Sequence, residues 1–152
     1  MNLNLKIPPP VVTLLTGAAT WLISRVTRDF TIAIPASRVL AGLLAALGVA
    51  TAISGVVALR RAQTTINPMK PESTTSLADL GAYRFTRNPM YLGLLLVLTA
   101  WAVLLSNPFA LLGPVAFVLY MNRFQIAPEE EALTTLFGEK YNEYKARVRR
   151  WV

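Results

Sequence analysis

Apolar residues fall into four blocks separated by polar segments. The first runs from Pro8 to about Val26 and opens on three prolines. A proline at the start of a helix gives up only an N–H that has no helical partner there. Thr13, Thr16 and Thr20 recur at helical spacing within this block, and their hydroxyls can bond back to the preceding turn. The second block, "VLAGLLAALGVATAISGVVAL" from Val39 to Leu59, carries no charge. It is long enough to cross the roughly 30 Å hydrocarbon core of a bilayer. Its small residues, among them Gly48, Ala52 and Gly55, predict close helix–helix packing. The third block opens after Asn88-Pro89 and ends near Ser106; the fourth runs from Phe109 to Asn122. At 1.5 Å per residue these two reach only about 25 Å and 21 Å, so they predict a tight helical hairpin. Asn88 and Asn107 each precede a proline and read as N-caps. Gly113-Pro114 predicts a kink in the second arm.

The pattern therefore predicts an all-α integral membrane protein forming one domain, residues 1–152. Its spans are expected at about 8–26, 38–59, 90–106 and 109–123. The polar stretch from Arg60 to Arg87 reads as an interfacial loop, with a short helix over 76–81. From Ala127 the pattern changes. Leu133, Leu136, Phe137, Tyr141, Tyr144, Val148 and Trp151 make one helical stripe, with Lys and Arg mostly off it. This predicts a C-terminal amphipathic helix lying over the membrane face, started by Pro128 and interrupted at Gly138.

Composition sharpens this picture. Hydrophobic residues make up 54% of the chain and charged ones 15%, against roughly 25% charged in soluble domains. The chain holds no cysteine and no histidine. Disulfides, thiolate chemistry, Ser-His-Asp catalysis and the usual zinc sites are excluded, and no metal is expected. The net charge of +7 fits an anionic membrane face better than nucleic acid, because the basic residues flank the apolar blocks. With four crossings, every Lys and Arg except Arg25, Arg28 and Arg38 lies on one side. The positive-inside rule makes that side cytoplasmic. The protein is expected in the cell inner membrane, multi-pass, with both termini cytoplasmic. The regions 60–90 and 123–152 then face one compartment and can build one site. A removable signal peptide is not expected, since no A-x-A pattern follows the first block.

Candidate chemistry gathers at two places. The collar "YRFTRNPMYLG", Tyr83 to Gly93, sets Arg84 and Arg87 beside the start of the third helix. Free N–H groups there attract an anion. Tyr91 lies one turn in, and Gly93 has no side chain and would admit a flat group. The acids Glu129, Glu130 and Glu131 form the second set. Adjacent acids point about 100° apart on a helix, so Glu129 and Glu130 can do different jobs. A guest with a carboxylate, an ammonium and a flat ring would suit both sets; an amino-acid-bearing nucleoside is compatible. Membrane anchoring without catalysis, as in a scaffold or accessory protein, accounts for the same residues.

"GAYRFTRNPMYLG" and "NRFQIAPEEEALTTLFGEKYNEYKARVRRW" together resemble the isoprenylcysteine carboxyl methyltransferase family and the related membrane methyltransferases of phospholipid headgroups. The resemblance covers roughly the last 90 residues. It implies S-adenosyl-L-methionine as cofactor, held between collar and tail by Tyr83, Arg87, Asn88, Tyr91, Gly93, Glu129 and Glu130. It implies methyl transfer to a lipidic acceptor, either the carboxylate of an isoprenylcysteine-like substrate or a phospholipid amine. A carboxylate acceptor needs a guanidinium, for which Arg123 or Arg147 is the candidate; an amine acceptor needs a base, for which Glu130 is one. Many members have histidine where this chain has Asn88, so any proton shuttle at that position is lost here.

Overall fold

The computed structural model describes residues 4–152. All regular structure among the described residues is helical. Helix α1 spans Pro9–Val26, α2 Ser37–Arg61 and α3 Pro89–Leu105. A 3-10 turn at Pro108–Leu111 leads into α4, Leu112–Tyr120. A π-helical segment, Met121–Ile126, joins α4 to α5, Ala127–Phe137; α6 follows at Glu139–Arg147.

Two continuous helices are long and apolar enough to cross a membrane, Ser37–Arg61 and Pro108–Phe137. The second has 30 residues, about 45 Å at 1.5 Å each. Its apolar part ends near Tyr120, and charged residues begin at Arg123, so the acids of α5 lie beyond the stretch that hydrocarbon would cover. Large apolar side chains point outward along α1, α2 and α4, among them Leu15, Leu43, Leu47, Ile53 and Leu119. So wide an apolar exterior suits lipid and not water.

The helices are tied at both ends. At one end, Asn107 donates to the Thr27 carbonyl at 2.8 Å, and Ile32 N–H donates to the Ser106 carbonyl at 2.8 Å. At the other, Leu5 N–H donates to the Phe124 carbonyl at 3.0 Å, and Trp151 Nε1 donates to Asn122 Oδ1 at 3.0 Å. Both described chain ends thus lie where α2 ends and α3 begins, on the side that carries the cleft. Inside, Val12, Leu98, Phe117, Met121 and Ile126 pack with Tyr91 into one core. Tyr141, Tyr144 and Val148 form a second with Leu77, Tyr83 and Leu133.

Glycine sets the tightest contact. An ideal Cβ on Gly93 would lie 2.5 Å from the Gly48 carbonyl oxygen and 2.7 Å from Ala52 Cβ. One on Gly55 would lie 2.9 Å from Met90. The Gly48, Ala52 and Gly55 face of α2 therefore seats α3 backbone to backbone, as small residues allow in lipid.

Several expectations are revised. No helix forms over 76–81; a 3-10 turn occupies Gly81–Arg84 instead, begun by Gly81 at φ +63°. Pro128 stands in the first turn of α5, as expected, but the helix does not begin afresh there: the π segment carries it in from α4, and the Phe124 carbonyl, four residues before the proline, accepts from Leu5 N–H. Pro114 is the third residue of α4, just past the 3-10 turn at Pro108–Leu111. The C-terminal stripe is interrupted at Gly138, as expected: at φ +53° it divides α5 from α6, while beyond α6 the chain is extended from Val148 rather than helical to Trp151. Asn107 caps as expected, accepting from Phe109 N–H. Asn88 does not; its side chain makes no cap bond and reaches for the tail.

Candidate functional site

Where α2 ends and α3 begins, a cleft opens between the 65–78 loop, the Gly81–Arg84 turn and helices α5 and α6. It measures about 760 Å³ counted out to its open mouth. The loop is fastened at its base by its hydroxyls. Thr75 Oγ1 donates to the Gln63 carbonyl at 2.9 Å, and Ser76 Oγ donates to that of Ala62. Gln125, 1% exposed, donates its amide to the Pro68 carbonyl at 2.8 Å and closes the gap between loop and helix.

The floor is a carboxyl–phenol pair. Tyr91 O–H, on α3, faces both carboxyl oxygens of Glu129, on α5, at 3.1 and 3.0 Å. No cation pairs with Glu129; both ion pairs among the described residues belong to Glu130. Burial pushes the Glu129 carboxyl up to about 8; the Tyr91 bond opposes this and the neighbouring Glu130 charge adds to it. A cation held beside it would favour the ionised form.

The walls are aromatic. Tyr83, Tyr141 and Tyr144 line the cleft, and Tyr144 O–H donates to the Tyr83 carbonyl at 2.8 Å. Burial is the main reason all three phenols titrate well above the ordinary tyrosine value. They remain neutral O–H donors at any working pH.

The third part is a clasp on the C-terminal segment. Glu130 takes Arg87 at 2.7 Å and Arg150 at 2.5 Å. Burial alone would raise its pKa, but the hydrogen bonds from Arg150 and Arg87 outweigh it and hold the carboxyl below its ordinary value. The bond to Glu130 in turn raises the Arg150 pKa. Arg87 Nη1 donates to the carbonyls of Lys145 and Val148 at 3.1 and 2.8 Å, and its backbone N–H to that of Arg149. Asn88 Nδ2 and Thr86 Oγ1 both donate to the Arg150 carbonyl, at 2.9 and 3.1 Å. The tail packs across the collar, and its α6 tyrosines become cleft walls. Arg87 Nε is buried without a partner.

Of the residues singled out in the sequence, Tyr83, Arg87, Asn88, Tyr91, Glu129 and Glu130 meet at this cleft. Gly93 does not line it; the close approach of α2 fills the space where a flat group was expected. Arg123 is exposed beside the Phe124 ring, and Arg147 borders a different pocket. Neither reaches the cleft. Sequence reasoning missed Arg150, Tyr141 and Tyr144 as site residues. In the sequence the two tyrosines fall on the apolar stripe of the C-terminal amphipathic segment, and Arg150 is one of several charges beside it. Their common signal was position on the stripe that must fold back over the collar.

Residues 36–140 match the sequence profile of the phospholipid methyltransferase family. A 63-residue stretch, 41% of this chain, is 52% identical to the whole of an uncharacterized protein of Haemophilus influenzae. Over 96 residues, 61% of this chain, it is 36% identical to 49% of a probable protein-S-isoprenylcysteine O-methyltransferase of Oryza sativa. Over 82 residues, 52% of this chain, it is 35% identical to 33% of the protein-S-isoprenylcysteine O-methyltransferase of Saccharomyces cerevisiae. The chain thus spans half or less of the methyltransferases it resembles. No solved structure matches it significantly.

Proposed function

The chain belongs to the phospholipid methyltransferase family, and on that premise we propose that it is a membrane methyltransferase that uses S-adenosyl-L-methionine and acts on a lipidic acceptor. The observation that carries this reading is the cleft floor. Glu129 offers a carboxyl with no cation of its own, set among tyrosine rings. Few side-chain sets suit a cationic, partly flat guest better. Glu129 and Tyr91 would take the cationic part, Tyr83 and the α6 tyrosines would flank the flat part, and the partnerless Arg87 Nε is a donor for an anionic group.

Bound there, S-adenosyl-L-methionine supplies an electrophilic sulfonium methyl, so the chain's task is alignment and exclusion of water. Glu129, its proton released to solvent at the open mouth of the cleft, would stand as the counter-charge. Tyr91 fixes the orientation of that carboxylate through its O–H. Glu130, with Arg87 and Arg150, holds α6 and the tail against the collar and keeps Tyr141 and Tyr144 in place as walls. Leu59, Ile66, Met90 and Leu133 provide an apolar lining for the acceptor.

The acceptor in our first reading is the carboxylate of an isoprenylcysteine-like substrate, in keeping with the names of the relatives. A phospholipid amine is the second reading. It is favoured by Arg87, whose two Nη atoms are already held by Glu130 and by the Lys145 and Val148 carbonyls, so that no planar guanidinium fork is left at the cleft for a carboxylate. The helices cross the cell inner membrane four times, with α1 to α4 as spans and the cleft and both termini in the cytoplasm.

The test is calorimetric binding of S-adenosyl-L-methionine to the protein in detergent or nanodiscs. Micromolar binding, weakened at least tenfold by Tyr91→Phe and by Glu129→Gln, supports the reading. No binding at millimolar concentration to folded protein overturns it and leaves the collar and tail as membrane anchors.

A further inference from the structure

Two of the arginines outside the cleft lie close to it. Arg84 and Arg147 border a second pocket with Asp79, Tyr144 and Val148. Neither guanidinium forms an ion pair among the described residues, since both pairs there belong to Glu130. Asp79 shares the pocket, yet it too pairs with neither arginine. Two cations and one anion thus face a common space without neutralising one another.

The setting points to a membrane surface. The Gly81–Arg84 turn rests on the last turns of α2: a Cβ on Gly81 would meet Ala58 Cβ at 3.7 Å. That is the level at which the apolar helix gives way to Arg60 and Arg61. Leu80, beside Asp79, is 70% exposed, and Phe85, beside Arg84, is 79% exposed. At the level where α2 leaves its apolar stretch, such side chains beside arginines suit a membrane interface. Tyr144 lines both pockets, so the two share a wall.

We infer that this pocket holds the headgroup of a membrane phospholipid that is not the methyl acceptor, its phosphodiester on Arg84 and Arg147 and its hydrogen-bond-donating tip on Asp79. Guanidiniums match phosphate oxygens in a planar fork. Asp79 accepts from an ammonium or a hydroxyl, and a trimethylated tip offers it nothing to accept. Leu80 and Phe85 take the start of the acyl chains. The site therefore selects phosphatidylethanolamine and phosphatidylglycerol over phosphatidylcholine. It stands apart from the methyl-transfer reading and requires only that the protein sits in a membrane.

Native mass spectrometry of the detergent-solubilised protein, titrated with these three lipids carrying the same acyl chains, tests it. The expected result is at least tenfold tighter retention of the ethanolamine and glycerol lipids than of the choline lipid. Arg84→Gln with Arg147→Gln should remove that retention, and Asp79→Asn should erase the preference while leaving some binding. Circular dichroism of each variant shows that it is folded. Equal retention of phosphatidylcholine by the unaltered protein, or undiminished retention by the double arginine variant, would overturn the inference. So would competition by soluble glycerophosphoethanolamine at the affinity of the intact lipid, which would make a free solute the guest. Failure of S-adenosyl-L-methionine to bind would sink the methyltransferase reading and leave these outcomes unchanged.

Discussion

Adding one methyl group at Gly93 should separate two helices. An alanine Cβ there would sit 2.5 Å from the Gly48 oxygen, and 2.7 Å from both Cβ and N of Ala52. Ordinary contacts are roughly 3.5–4.0 Å. Two of these neighbours are backbone atoms, which no rotamer change can move, so α2 and α3 must part by about 1 Å. A gap of that size forfeits about a quarter to a half of each dispersion contact along the seam. Overpacking of this kind costs about 1–3 kcal/mol, and a backbone clash belongs at the upper end. Alanine returns about 0.5–1 kcal/mol through its better helix propensity. The net loss is therefore about 2 kcal/mol. Thermal unfolding of the purified protein, followed by circular dichroism in detergent, should show a lowered midpoint. Gly48→Ala should cost about as much, because its Cβ would meet the Gly93 oxygen at 2.7 Å. The double variant should cost less than the sum, since one separation relieves both clashes. An unchanged midpoint with S-adenosyl-L-methionine binding lost tenfold would refute this and return Gly93 to the cleft.

Glu130→Gln leaves Arg87, whose side chain is 12% exposed, without its charge partner. Removing one member of a buried pair costs about 3 kcal/mol, read here as faster tryptic cleavage after Arg147 and Arg149. Arg150 is 35% exposed, so Arg150→Gln should cost no more than about 1 kcal/mol; equal effects would contradict the clasp. The folded-state pKa of Glu129 lies above its ordinary value, near 8. Its contribution is fully present below about pH 4.5 and is lost as pH rises through about 8. Stability of the cofactor-free protein should therefore fall between pH 5 and 9, and Glu129→Gln should flatten that slope; an equally steep slope in the variant would show that another group is responsible. Asn88→Ala removes the bond to the Arg150 carbonyl and should cost about 1 kcal/mol. Asn88→His, which keeps an N–H donor, should restore most of it if holding the tail is the role of this side chain.

Much of the architecture could be read from one dimension because lipid makes simple demands. The apolar blocks had to be helices, since a spanning backbone must satisfy its own N–H and C=O groups. Their lengths, the three proline-led starts and the small-residue face of α2 follow from local rules. The collar and the acids were recognisable by residue type and spacing, and Tyr91 does meet Glu129. What the chain order could not disclose is which partner each group chooses when several compete. Arg87 and Asn88 looked like ligands for an anionic guest. In three dimensions most of their donors are taken by carbonyls of the tail, some 60 residues away, because an extended segment with unpaired carbonyls lies within reach. Gly93 was open in sequence and is closed in space, since α2 arrives from another block. Arg150 joins Glu130 only after the chain has broken at Gly138 and folded back. Hydrophobicity and backbone satisfaction act locally and were legible. Pairing of charges and donors depends on long-range packing, and the tertiary structure alone decided it.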